Sequence, residues 1–281
     1  MKLMRIGNLG QEKPAILLDD GTIADLSSIV DDIAGEAISI QGLEKIRQAN
    51  LSSLPKLDAN DRIGACVGAS SKFIGIGLNY ADHAAEAGLD VPPEPIMFMK
   101  ATTCICGPND NVIIPPNSKK LDWEVELGIV IGKKGSYISK ENSLDHIAGY
   151  CVINDISERA WQIERAGQWV KGKSHDTFGP IGPYLVTKDE VTDPQNLALW
   201  LEVDGKKMQN GTTKTMVYNV EFLVHYVSQF MTLLPGDIIA TGTPPGVGMG
   251  QKPKPIFLRA GQKMRLGVDG LGEQNQLVVD G

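Results

Sequence analysis

The chain has 281 residues, enough for one large domain or for a large and a small one, and its 42% hydrophobic and 22% charged residues are ordinary for a soluble globular protein. A net charge of −7 without a basic cluster disfavours a binder of nucleic-acid backbones. The opening residues Met1 to Ile6 lack the apolar core of a signal peptide and no apolar run approaches ~18 residues, so a cytoplasmic protein is expected.

Residues 2 to about 27 read as short strands and turns, with Ala15 to Leu18 and Thr22 to Ala24 on either side of Asp19-Asp20-Gly21. Residues 41 to 49 read as a short helix. A small, structural N-terminal domain is expected over residues 1–70, leaving 71–281 for the chemistry. Phe73 to Gly77 is a strand, and Asn79 opens a helical stretch closed by Gly88. The Gly75-x-Gly77 pair lacks the third glycine and the βαβ unit of a dinucleotide site. His83 and Glu86, at i and i+3, share a helix face where a carboxylate can fix an imidazole's tautomer; an exposed helix shows the same pair by chance. Pro92, Pro93 and Pro95 cannot continue that helix and suit a rim or lid whose ends are fixed.

Asp122 to Gly132 reads as one strand interrupted by Glu124 and Glu126. At i and i+2 the two carboxylates lie on one face, with Cα atoms roughly 6.6 Å apart, while Trp123, Val125 and Leu127 take the other. The pattern also fits the solvent face of an antiparallel sheet. A third acid, Asp155, ends a second apolar run, Ile147 to Ile153. Acids from two strands at one level supply three oxygen ligands, which suits a hard cation such as Mg²⁺, Mn²⁺ or Ca²⁺ with positions left for water and substrate.

Ser157 to Gln168 is expected to be one helix carrying Glu158, Arg159, Gln162 and Arg165, and a plain solvated face explains those charges equally well. Lys171 to Pro183, rich in Gly and Pro yet carrying Lys173, Ser174, His175 and Thr177, looks like a binding loop. Leu197 to Met208 forms a hairpin about Asp204-Gly205, and the helix from about Val220 buries Val220, Leu223, Val224 and Val227. The strand Ile238 to Ala240 runs into the stiff loop Thr241 to Gly248, whose backbone N–H groups and Thr243 hydroxyl suit an anionic ligand, or which simply turns the chain. Met264 to Val268 and Leu277 to Val279 close the chain as strands. Cys66, Cys104, Cys106 and Cys151 show neither redox nor zinc spacing and are expected to be buried and reduced.

Five separated pieces, in this order and spacing, resemble the fumarylacetoacetate hydrolase superfamily: Gly77 to His83, Glu124 to Leu127, Asn154 to Arg159, Gly172 to Thr177 and Thr241 to Gly248. The resemblance covers residues 70 to 281 and implies an α+β, mostly β fold: a mixed β-roll core with a small N-terminal domain, usually as a homodimer. It implies Glu124, Glu126 and Asp155 as Mg²⁺ or Mn²⁺ ligands, a water-activating dyad His83–Glu86 carried over from the shorter members, and Lys173 as the active-site lysine. Arg159, Gln162, Thr177 and Thr243 match positions that line the site in relatives. The implied activity is metal-dependent hydrolysis of a C–C bond in a 2,4-diketo acid, either an acylpyruvate or a diketo-deoxy sugar acid. Oxaloacetate decarboxylase, ureidoglycolate lyase and a catalytically silent binding protein are the competing readings.

Overall fold

The computed structural model of the chain describes residues 1–82, 86 and 90–281. Its centre is the strand Val125–Ile131, whose β-branched residues are buried on both faces. It pairs antiparallel with Ile147–Asn154 on one side, setting Glu126 opposite Ile153, and with Ile238–Ala240 on the other. Phe73–Gly77 runs parallel to Ile238–Ala240 and antiparallel to Ile96–Lys100. A second sheet orders Lys206–Thr212, Ala198–Val203, Lys263–Val268, Gly272–Asp280 and Val112–Ile114. Mixed sheets with few helices give the mostly β, α+β fold that was expected.

Side-chain amides join the two sheets. Gln209 accepts the Val125 N–H at 2.9 Å and donates to the Thr243 hydroxyl and the Pro244 carbonyl at 2.7 and 2.8 Å. Asn154 donates to Gln276 at 3.0 Å, and Gln274 donates to the Val152 carbonyl at 2.9 Å. All four side chains are buried, so these bonds satisfy groups that would otherwise be costly to bury.

The N-terminal segment forms the hairpin Lys2–Ile6 and Lys13–Leu17, followed by Ile23–Asp25. It does not stand apart as a layer of its own. Lys2 and Leu3 pair with Val186 and Leu185, so the hairpin extends the main sheet to nine strands, and Leu3, Ile16 and Leu26 share one core with Val125 and Val152. The strands on either side of residue 70 thus belong to one sheet.

Several local expectations match the structure. The helix Ile40–Arg47 is capped by Ser39, whose hydroxyl accepts from Gly42 N–H. Asp204 and Gly205 turn the hairpin with φ of 50° and 75°. Asn219 caps the helix Val220–Ser228, which buries the four residues its period selects. Two others differ. The expected helix over 157–168 is a short strand at Ser157–Glu158, a helix at Arg159–Ile163 and a separate helical turn at Val170–Lys173. Ala166 and Gly167, both at positive φ, end the helical path between them. The strand expected from Asp122 to Gly132 breaks at Trp123 and Glu124, because the Asp122 carboxylate turns inward to accept the N–H groups of Trp123, Gly248 and Met249 at 2.8, 2.6 and 2.9 Å. Among the described residues, no helix is long and apolar enough to cross a membrane.

Candidate active site

The break at Trp123 and Glu124 does not separate the two glutamates. Glu124, Glu126 and Asp155 are 6%, 2% and 1% exposed, which overturns the solvent-face alternative, and each offers a carboxylate oxygen within 4.8 Å of the others. Asp155 is brought in by the end of Ile147–Asn154, where its N–H donates to the Glu124 carbonyl at 2.9 Å. The three acids sit in a cleft of about 220 Å³ that Arg159, Gln162, Lys173 and Thr243 also line.

Among the described residues, three buried cations surround the acids. Lys173 Nζ lies 2.6 Å from both Glu124 Oε2 and Asp155 Oδ2. Arg159 donates to Glu124 at 2.6 Å, to Asp122 at 2.8 Å and to the Gln162 amide oxygen at 3.0 Å. Lys100 Nζ reaches Asp155 Oδ1 and the Lys173 carbonyl, each at 2.5 Å. Burial alone would lower the pKa of Lys173, but Asp155 and Glu124 outweigh it and hold the ammonium charged. Gly172 makes this approach possible: a Cβ there would lie 2.5 Å from both the Glu158 carbonyl oxygen and the Gln162 nitrogen. The turn carrying Lys173 therefore packs directly on the helix carrying Arg159. Lys173 stands at the end of a helical turn, Val170–Lys173, where the sequence suggested a loop.

Glu126 is the least compensated of the acids. Gly242 N–H donates to it at 2.8 Å, yet burial first, then Asp155 and Glu124, push its pKa well above the usual carboxylate range. Within the cluster, Asp122, Glu124, Glu126 and Asp155 outnumber Lys100, Arg159 and Lys173 by one negative charge. Three converging carboxylates, one of them pushed toward protonation and an excess of negative charge, make a donor set that fits a hard divalent ion.

The other expected site residues fall differently. Thr243 lines the cleft, but its hydroxyl donates to the Val125 carbonyl at 2.8 Å and accepts from Gln209. The loop Thr241 to Gly248 directs its amides at the protein's own carboxylates: Gly242 at Glu126, Gly246 at Glu86 and Gly248 at Asp122. Thr177 is not brought to the cleft. Its hydroxyl accepts the Ile113 N–H at 2.9 Å, and its φ of 68° turns the chain there, a supporting role in place of the expected substrate contact. Glu86 accepts Gly246 N–H at 3.1 Å to each oxygen, whereas His83 lies outside the described residues. Lys100 and Asp122 carry no sequence signal for this site. A lysine ending an apolar strand reads as an exit to solvent, and no local pattern marks Asp122 as a partner of Arg159. All four cysteines are buried and unbridged.

The fumarylacetoacetate (FAA) hydrolase C-terminal family model matches residues 72–279, most of the chain. The chain belongs to the fumarylacetoacetate hydrolase family. A curated relative from Burkholderia ambifaria, named "Putative hydrolase", is 63% identical over 276 residues, covering 98% of each chain. Among solved structures, the fumarylacetoacetate hydrolase of psychrophilic Exiguobacterium antarcticum superposes with a TM-score of 0.88 at 34% identity over 100% of each chain. Maleylpyruvate hydrolase from Sphingobium sp. SYK-6, in complex with manganese(II) and pyruvate, superposes with a TM-score of 0.82 at 29% identity, again over 100% of each chain. As a fumarylacetoacetate hydrolase family member, the chain therefore shares its fold with enzymes, one of which was solved with a divalent metal.

Proposed function

We propose that the protein is a divalent-metal-dependent hydrolase that cleaves a C–C bond in a 2,4-diketo acid and releases a pyruvate-type product. The observation that carries this reading is the convergence of Glu124, Glu126 and Asp155 beside Lys173 and Arg159 in one buried cleft. Glu124, Glu126 and Asp155 would hold Mg²⁺ or Mn²⁺, and a bound ion would supply Lewis-acid polarisation to the substrate.

The remaining work falls to the chain itself. His83 takes a proton from a water, which adds to the C4 carbonyl. The Glu86 carboxylate, fixed by the Gly246 N–H, orients that imidazole. The C3–C4 bond breaks, its electron pair passes toward the 2-oxo group, and C3 then takes up a proton to give the pyruvate-type product and a carboxylic acid. The Lys173 ammonium stands where negative charge develops on the 2-oxo oxygen, in a site dry enough for that charge to count. Arg159 and Gln162 present cationic and amide groups to the substrate's acidic end, and Thr243 shapes the wall beside them. Residues 1–70 buttress the sheet in this reading, and the active species is a cytoplasmic homodimer.

The test is a spectrophotometric assay of acetylpyruvate, a diketo-deoxy sugar acid, oxaloacetate and ureidoglycolate with purified protein and Mg²⁺ or Mn²⁺. Cleavage of a diketo acid that chelator abolishes supports the proposal. Turnover of oxaloacetate or ureidoglycolate alone rejects it in favour of a decarboxylase or a lyase, and binding of metal with no turnover of any of the four favours a silent binding protein. Sedimentation of the active species checks the dimer, and a fully active monomer removes that part.

A further inference from the structure

The turn at residues 246–250 ties the cleft to Glu86. Met249 lines the cleft, while the Gly246 N–H donates to both Glu86 oxygens at 3.1 Å. Gly250 faces the same carboxylate so closely that a Cβ would lie 2.6 Å from Glu86 Cδ and 2.8 Å from its Oε2. The amide and the bare glycine surface together form a seat in which the end of the Glu86 side chain rests.

Asp122 braces this turn from the interior. Its side chain is fully buried, and both oxygens are occupied. Oδ1 accepts the N–H groups of Trp123 and Gly248 at 2.8 and 2.6 Å, and Oδ2 accepts the Met249 N–H at 2.9 Å and Arg159 Nε at 2.8 Å. The Trp123 indole adds a bond to the Gly246 carbonyl at 3.1 Å, where the chain turns at a φ of 107°. Leaving a buried N–H without its acceptor is costly, so the path of the turn follows the place of Asp122. Arg159 also donates to Glu124 at 2.6 Å. Asp122 therefore connects one of the three converging acids, through Arg159, with the seat of Glu86.

We propose that Asp122, Gly246 and Gly250 are positioning residues that fix the Glu86 carboxylate relative to the acid cluster, Asp122 by bracing the turn and the two glycines by seating the carboxylate. This rests on the reading in which Glu86 orients a water-activating His83, and the experiment reads the seat separately from the reaction. The decisive variant is Gly250→Ala. The atoms nearest its new methyl belong to the Glu86 carboxyl group, the mobile end of a long side chain, so that group shifts while the fold stays. Asp122→Asn is the second variant. In either orientation its amide nitrogen faces two N–H donors, which releases the turn.

With acetylpyruvate and the Mn²⁺-loaded protein, Gly250→Ala is expected to lower kcat by about 10–10²-fold, with KM, Mn²⁺ affinity and the urea midpoint at parent values. In a Glu86→Ala background the same substitution has no further effect, because no carboxylate remains to be displaced. Hydrogen exchange at single-amide resolution reads the seat itself. Protection of the Gly246 amide is expected to fall in Gly250→Ala, Glu86→Ala and Asp122→Asn. In the parent, Gly246, Gly248 and Met249 are expected to exchange as one unit, a measurement that stands even where Asp122→Asn does not fold. A parent-like kcat in Gly250→Ala, or an equal loss in the Glu86→Ala background, overturns the proposal. So does Gly246 exchange that Glu86→Ala leaves unmoved, or that is independent of Gly248 and Met249. If the parent cleaves no diketo acid, the hydrolase reading falls, and the exchange at Gly246 still decides the seat.

Discussion

Replacing Lys100 by Met tests whether the site is held together by charges that the sequence did not advertise. The Lys100 side chain is fully buried and Asp155 is 1% exposed, and the ammonium bonds both the Asp155 carboxylate and the Lys173 carbonyl at 2.5 Å. Methionine keeps most of the volume, so the change removes charge and donors more than packing. Among the described residues, the variant leaves Asp155 with Lys173 as its remaining cationic partner and doubles the cluster's negative excess. Removing one partner of a buried pair costs about 3–5 kcal/mol, because the other charge stays buried. Lys100→Met is therefore expected to lose stability of that order in urea unfolding with chelator present. Saturating Mg²⁺ or Mn²⁺ then recovers more stability in the variant than in the parent, since a cation among the carboxylates relieves the added repulsion. A loss below about 1 kcal/mol, the range of an exposed pair, would refute the reasoning.

Other outcomes follow from the same geometry. Glu126 has its pKa raised in the fold, so the metal-free protein keeps a proton there above the ordinary carboxylate range. This group's contribution to the metal-free protein's stability declines as pH climbs from that range through the raised value, and metal binding expels the proton. Calorimetry in two buffers of different ionisation enthalpy reads that proton directly, with affinity rising with pH; a heat independent of buffer contradicts it. Gly172→Ala forces a Cβ to within 2.5 Å of the Glu158 carbonyl oxygen. It is expected to cost about 1–3 kcal/mol and to lower kcat by displacing Lys173, and unchanged kinetics would show that the close approach does not matter. His83→Ala is expected to lose about 10²–10⁴ in kcat while its metal affinity stays at the parent value, and full activity in that variant rules the dyad out.

Much of the fold was legible because it follows local rules. Val125–Ile131 and Ile147–Asn154 are apolar runs of strand length, Asp204-Gly205 supplies a tight turn, and Val220 to Val227 carry a helical period. The sheet order was not legible, because no local pattern says that Lys2 will pair with Val186 across most of the chain. The same limit applied to the site. Glu124 and Glu126 stood out as charges inside apolar sequence, and Asp155 as an acid ending a buried run. Lys100 and Asp122 became visible only once tertiary contacts had set them beside Asp155 and Arg159. Thr177 went the other way: its neighbours suggested a binding loop, but its hydroxyl bonds the Ile113 backbone.

The most direct test of the account is the location and number of bound ions. Manganese titration followed by electron paramagnetic resonance, with anomalous scattering from a crystal of the loaded protein, is expected to show one ion per chain, coordinated by Glu124, Glu126 and Asp155. Glu126→Gln is expected to weaken it without unfolding the protein. An ion bound elsewhere, or saturating metal with no ion among these three carboxylates, would contradict the account.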